Sequence, residues 1–362
     1  MSTRRKCRIA LIAGGAMLGA GLSTLPALAE IKHTPQLDQL IKAAEAEKVL
    51  NVVWGGTSLG EAKGAKDIEA GLNRAFHTHF TVNFTPGPSM PQMATRVIQE
   101  VKAGQKSSTD LFLGIEVSLP GMIAAGVLEQ VPWSEYFPNI TPEMQTQNHE
   151  ALLAYTLFNG MSYNTRLIPE KDVPHTLAEV FRPEWKGKLA STPYAAGFDR
   201  LALAYGDDKI RPIVQKMAEW AGGLIRCGEY ERLASGEFLG LVLDCGQVEP
   251  QFMVENGGPI KLVPLDDALA TTLTYFAIPK TSAHPNLAKL FAGFVVTPEG
   301  QAIIAKYGGT SHLVPGTPAY KEAKSFEARG LKLLAYTPDT IAPRLKDAAH
   351  YKQEYEHILE GK

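Results

Sequence analysis

Cysteine is scarce in this chain: three in 362 residues, Cys7, Cys227 and Cys245. No C-x-x-C pair and no cluster of histidines supplies a complete ligand set, which argues against a structural zinc site. Equally absent are an H-E-x-x-H pair and a G-x-x-x-x-G-K-[ST] phosphate loop, although Gly56-Thr57-Ser58-Leu59-Gly60 has G-x-S-x-G spacing. The carboxylate pairs Asp207-Asp208 and Asp266-Asp267 are adjacent, so on a strand they point apart and in a turn they are solvated. No enzyme and no cofactor are therefore expected. A cleft hydrolase stands as the rival class, needing an acid, base or nucleophile gathered from distant positions. Beyond the first 29 residues no long apolar span occurs.

What the N-terminus does have is a three-part leader. Arg4, Arg5, Lys6 and Arg8 precede an apolar run over 9–25, and Ala27-Leu28-Ala29 offers a small-residue cleavage site before Glu30. The expectation is a signal peptide over 1–29 and a mature chain outside the cytoplasm. Gly14, Gly15, Gly19 and Gly21 thin the run, which disfavours a retained anchor. Cys7 precedes the run and no cysteine follows Ala29, so lipid attachment is not expected. The Arg4-Arg5 pair raises twin-arginine export, but Lys6 and Cys7 stand where an apolar pair is usual; the export route stays open.

Setting aside the four basic residues of the leader leaves 32 Lys+Arg against 38 Asp+Glu, a net charge of about −6. That speaks against a nucleic-acid partner held on a basic face. Cys227 and Cys245 then form an even pair in an oxidising compartment, read as one disulfide worth roughly 3 kcal/mol through the loop it closes. His77 and His79 would share one face of a strand, but no acidic or Cys residue lies near them in sequence. They are expected as exposed loop histidines, and no metal site is expected.

The remaining 333 residues exceed what one core usually serves, so two lobes are expected. Helical spacing over 36–48, an apolar strand over 49–54, a helix over 62–76, alternation at Phe80, Val82 and Phe84, a helix over 90–103 and a strand over 110–114 give βαβαβ order. That order favours a mainly parallel sheet flanked by helices, with ligands beyond the strand ends. Those ends carry residues 54–59, 85–90 and 114–118. A second block follows: strand 188–191, turn 192–197, helices 198–205 and 210–221, strand 238–243. Two extended stretches, 151–164 with its polar Asn159-Gly160 interruption and 260–279, flank that block. A chain that leaves one lobe and returns to it in this way encloses a cleft that closes by hinge bending.

Tyr163-Asn164-Thr165, then the run from Val173 through Pro183-Glu184-Trp185-Lys186-Gly187-Lys188-Leu189, resembles the middle segment of periplasmic solute-binding proteins of the ferric-iron, thiamine and polyamine type. Leu233-Ala234-Ser235-Gly236-Glu237, Phe276-Ala277-Ile278-Pro279-Lys280 and Thr297-Pro298-Glu299-Gly300-Gln301 follow in family order. The resemblance implies a two-lobed type II α/β fold in the periplasm. It implies a monomer that binds a small solute between its lobes and delivers it to an inner-membrane ABC permease. Lobe 1 is expected over 30–150 plus about 280–315, lobe 2 over 160–275, and a C-terminal helical segment over 316–362.

The expected ligand contacts are Trp54, Thr57, Ser58, Ser89, Tyr163, Thr192, Gly197, Arg200, Asp244, Gln247 and Tyr275. Several carry two readings. Trp54 is core or a stacking platform. Thr57 and Ser58 hold an anion or merely satisfy their own turn. Arg200 is a charge clamp or a solvated side chain. Asp244 and Gln247 bond a ligand, or Asp244 is a local cap. Iron-binding relatives commonly place adjacent tyrosines after the strand that ends here at Asp244, and no Tyr-Tyr pair occurs in this chain. Tyr163, Tyr194, Tyr230 and Tyr275 would have to converge to replace it. An anionic organic solute is expected ahead of a metal ion or a cationic amine.

Overall fold

The computed structural model describes residues 31–361 apart from Gly56 and Thr57, and omits the side chains of Glu249, Phe252 and Glu255. The expected signal peptide and Thr57 lie outside the described residues.

Two apolar runs open the first lobe. β1 (Val49–Gly55) and β2 (Thr81–Gly87) pair in parallel, Val49 opposite Thr81, joined by the helix Glu61–Phe76. Leu50, Val52 and Trp54 share one face of β1 and are all buried, as a period of two requires. Beside β1 the ladder continues through side chains: Asp110 Oδ2 accepts from Asn51 N at 2.7 Å, and Thr109 Oγ1 accepts from Val53 N at 3.1 Å. β3 (Phe112–Ile115) follows directly.

Two connectors then cross between the lobes. The outward one runs through β4 (Ala151–Phe158) and β5 (Gly160–Asn164), the return one through β9 (Ile260–Pro264) and β10 (Thr271–Ala277). Between them lie β6 (Leu189–Ser191), β7 (Gly223–Leu224) and β8 (Gly240–Asp244). The first lobe holds the sheet β3-β10-β4 and the second β7-β6-β8-β5-β9. The sheets are mixed, which corrects the expectation of mainly parallel pairing. β1-β2, β6-β7 and β6-β8 are parallel, whereas β10 runs antiparallel to β3 and β4, and β5 to β8 and β9. The cause is the double crossing: each lobe gains one outward and one returning strand, and these run in opposite directions.

Separate apolar clusters hold the two lobes. In the first, Trp54 packs 6.0 Å from Phe276 and 6.1 Å from Phe291 between ring centroids. In the second, Tyr163, Trp185, Phe198 and Val214 join Tyr355 and Leu359 of the C-terminal helix Leu345–Leu359. That helix lies on the helices Phe198–Tyr205 and Asp207–Trp220, where Tyr355 donates its hydroxyl to Asp207 Oδ1 at 2.6 Å.

The Thr297-Pro298-Glu299-Gly300-Gln301 phrase has a structural explanation. Thr297 caps the helix Pro298–Ile304 by accepting from Gly300 N at 3.1 Å, with proline in its favoured first position. A Cβ on Gly300 would lie 2.2 Å from Phe294 O, so no side chain fits. Gln301, 1% exposed, donates to Ala154 O and Val295 O at 3.0 Å each and accepts from Ser311 N at 2.7 Å, tying the helix to β4.

Candidate functional site

A cavity of about 610 Å³ opens between the lobes. The first lobe contributes Ile115, Val117, Leu157 and Thr272. The second contributes the turn 194–197, Asp199, Arg200 and Cys245. Asn159, the residue between β4 and β5, lines it as well, and the C-terminal helix closes one side with Leu345, Ala348, Ala349 and Lys352. Most of this lining is apolar, which suits an organic solute fixed by a few polar contacts.

Gly197 starts the helix Phe198–Tyr205 with a φ of +78°, a conformation glycine adopts without strain. The helix start brings Asp199 and Arg200 to the cavity. Arg200 is neither a free clamp nor solvated: it crosses to the first lobe, where Nε donates to Glu116 Oε1 at 3.0 Å and Nη2 donates to the same oxygen. Glu116 is fully buried and its Oε2 accepts from Leu273 N at 3.0 Å. Burial pushes the Glu116 carboxyl above its ordinary range although Arg200 pulls it down. Burial opposes the Arg200 charge, but the fields of Glu116 and Asp199 more than offset it and hold the guanidinium protonated. Asp199 Oδ1 lies 3.5 Å from Arg200 Nη1. Arg200 thus lines the cavity, but its charge is already paired with Glu116 and lies next to Asp199, which weakens the case for an anionic solute.

Of the other expected contacts, Gly197 lines the cavity and Thr192, Tyr163 and Tyr275 do not. Thr192 donates Oγ1 to Tyr194 O at 2.7 Å within its own turn. Tyr163 and Tyr275, 4% and 1% exposed, belong to the cores of opposite lobes, and burial raises both phenols above the ordinary tyrosine range. Trp54 is core, with Nε1 donating to Leu111 O at 2.7 Å. Ser58 is buried in the turn after β1, outside the cavity. Ser89 heads the helix Met90–Lys102 in a capping box, its backbone N–H donating to Gln92 Oε1 at 3.3 Å.

Asp244 and Gln247 do not line the interlobe cavity and bond neighbouring segments of the chain. Asp244 Oδ2 accepts from Tyr230 OH at 2.7 Å and from Ser162 Oγ, and Oδ1 accepts from Cys245 N at 2.7 Å. Burial pushes its carboxyl up against those bonds. Gln247 accepts from Phe158 N at 2.9 Å and donates to Thr156 O at 3.1 Å, clasping the outward connector. The disulfide Cys227–Cys245 is formed, with Cα atoms 6.0 Å apart, and Cys245 faces the cavity. Cys227, Asp244 and Cys245 sit together, but the disulfide occupies both sulfurs. Tyr194 alone of the four tyrosines lines the cavity; its hydroxyl accepts from Cys227 N at 2.7 Å. His77 and His79 are exposed.

Sequence reasoning did not name Asn159, Glu116, Asp199 or the C-terminal helix as site elements. Asn159 had a signal, as the polar break in an apolar connector. Glu116 lay within the 114–118 strand end where ligands were expected.

Residues 72–332 match the family described as bacterial extracellular solute-binding protein. An uncharacterized protein of Haemophilus influenzae is 24% identical over 204 residues, 53% of this chain and 58% of that protein, so the match spans less than two thirds of the relative's length. Among solved structures, iron-bound HitA from Pseudomonas aeruginosa superposes with a TM-score of 0.67 at 18% identity, covering 85% of this chain and 99% of that one. A substrate-binding protein of an ABC transporter from Agrobacterium tumefaciens gives 0.69 at 17% identity, covering 86% and 94%.

Proposed function

The chain belongs to the bacterial extracellular solute-binding protein family, and from that premise we propose that it is the periplasmic capture component of an ABC importer. It binds one small organic solute between its lobes as a monomer, without turnover, and presents the closed form to an inner-membrane permease. The observation that carries this reading is the interlobe cavity of about 610 Å³, lined from both lobes and from the connector between them. A ligand touching both lobes favours the closed state by as much as its affinity for closed exceeds that for open. The apolar lining and the neutralised Arg200 favour an organic solute over a metal ion, as does the dispersal of the tyrosines, of which only Tyr194 faces the cavity.

Native mass spectrometry of the gently purified protein, against its denatured mass and elemental analysis, tests this. An organic mass released on denaturation, followed by saturable rebinding of that compound and uptake that depends on this protein, is the expected result. A bound metal with no organic mass would favour the iron-type alternative. Product formation from a screened compound would favour the hydrolase.

A further inference from the structure

With Arg200 engaged by Glu116, two buried polar atoms of the cavity lining stay without a hydrogen-bond partner, and both are acceptors. Asn159 is 2% exposed; its Nδ2 donates to Asp244 O at 2.9 Å, which fixes the orientation of the amide, and its Oδ1 is buried and unpartnered. Asp199 Oδ1 is buried likewise, with only Arg200 Nη1 at 3.5 Å, beyond a well-formed hydrogen bond. The two side chains reach the same cavity from unrelated elements, one from the β4–β5 crossing and one from the first turn of the helix Phe198–Tyr205. A buried acceptor is costly unless a donor meets it, and nothing else among the described residues supplies one. The Arg200 charge is paired with Glu116 outside the lining, which leaves the Asp199 carboxylate at the buried end, while Lys352 sits on the exposed rim.

Resting on the solute-capture reading, we infer that Asn159 Oδ1 and Asp199 Oδ1 select solutes carrying a hydrogen-bond-donor head group, an ammonium above all, on an apolar body, and reject anionic head groups. The apolar body lies against Leu157, Ala195 and Leu345, and the donor head meets the two oxygens. The pair sets specificity; lobe closure itself does not depend on it.

The test is saturation-transfer NMR with calorimetric titration, using n-pentylammonium and n-pentanoate, which share one chain length and differ in head group. The protein should bind n-pentylammonium at least about tenfold more tightly than n-pentanoate. Asp199→Asn should weaken n-pentylammonium at least about tenfold through loss of a charge-assisted bond, and Ala349→Trp, at an exposed helix position lining the cavity, should abolish it. Should Asp199→Asn fail to fold, the head-group preference of the unaltered protein decides alone. Equal or reversed preference overturns the inference; if that binding is still blocked by Ala349→Trp, solute capture in the cleft stands. Binding that survives Ala349→Trp, or no binding of either probe, overturns the inference too. Solute capture is then judged separately by the mass measurement above.

Discussion

Arg200 of the second lobe and Glu116 of the first meet across the cleft, Nε 3.0 Å from Oε1, with side-chain exposures of 11% and 0%. The pair joins the helix that carries the cleft's polar end to the turn after β3, and through Glu116 Oε2 it also holds Leu273 of β10. An ion pair so placed links the lobes before any solute contributes, and it occupies the charge of a cation on the cavity wall.

Breaking that pair from one side strands a buried charge. Glu116→Ala and Arg200→Ala should each cost about 3 kcal/mol or more, and the double variant should cost at least about 1 kcal/mol less than their combined effects. Denaturant unfolding of the four proteins measures the coupling. Strict additivity would show that the two side chains act independently.

The disulfide closes a loop between cysteines 18 positions apart and places Cys245 on the cavity wall. Replacing both cysteines with serine should lower stability by about 3 kcal/mol, the size expected for a loop of that length. The pair also anchors Cys227, whose backbone N–H reaches the Tyr194 hydroxyl in the cleft. Reduction is therefore expected to weaken solute affinity as well as stability. Titration of the solute with and without dithiothreitol checks this; an unchanged affinity would restrict the bridge to stability.

Much of this architecture was legible from local pattern. Helices expected over 36–48, 62–76 and 90–103 occur as Pro35–Glu47, Glu61–Phe76 and Met90–Lys102, because apolar spacing and proline starts act within a few residues. The site was less legible because its decisive contacts are long-range. Arg200 and Glu116 stand 84 positions apart, and no local rule pairs them. Asp244 illustrates a second limit. A polar residue ending a buried strand reads the same whether its partner is a ligand or, as here, Tyr230 and Ser162. The even spacing of Leu50, Val52 and Trp54 could have resolved Trp54 as core, since one face of a half-buried strand goes inward together.

Burial of His312 gives folding stability a pH dependence. Its Nδ1 lies 2.7 Å from Thr156 Oγ1 on the outward connector, and burial pulls its pKa down to about 4. With a folded pKa below the unfolded value of about 6.5, the unfolded chain binds more protons between those limits. The contribution is therefore full above the unfolded value and is lost as pH falls through the folded one. Stability should drop by an amount on the order of 2 kcal/mol between pH 7 and pH 4 from this group. Denaturant midpoints across that range should fall less steeply in His312→Asn; parallel slopes for the two proteins would assign the acid sensitivity elsewhere.

The helix Leu345–Leu359 is both core and cleft wall, and the two roles are separable by position. Tyr355, fully buried, packs in the second lobe and bonds Asp207, so Tyr355→Ala should cost about 3 kcal/mol or more. Ala349 is exposed and lines the cavity one turn and a half earlier, where an indole would fill solute space without displacing core. Ala349→Trp should leave the thermal midpoint within about 2 °C, as substitutions away from the core do, and should remove saturable binding of the natural solute once that solute is known. Paired thermal melts and titrations separate the roles. Retained affinity in Ala349→Trp would move the solute away from the C-terminal helix and leave that helix a purely structural strap on the second lobe.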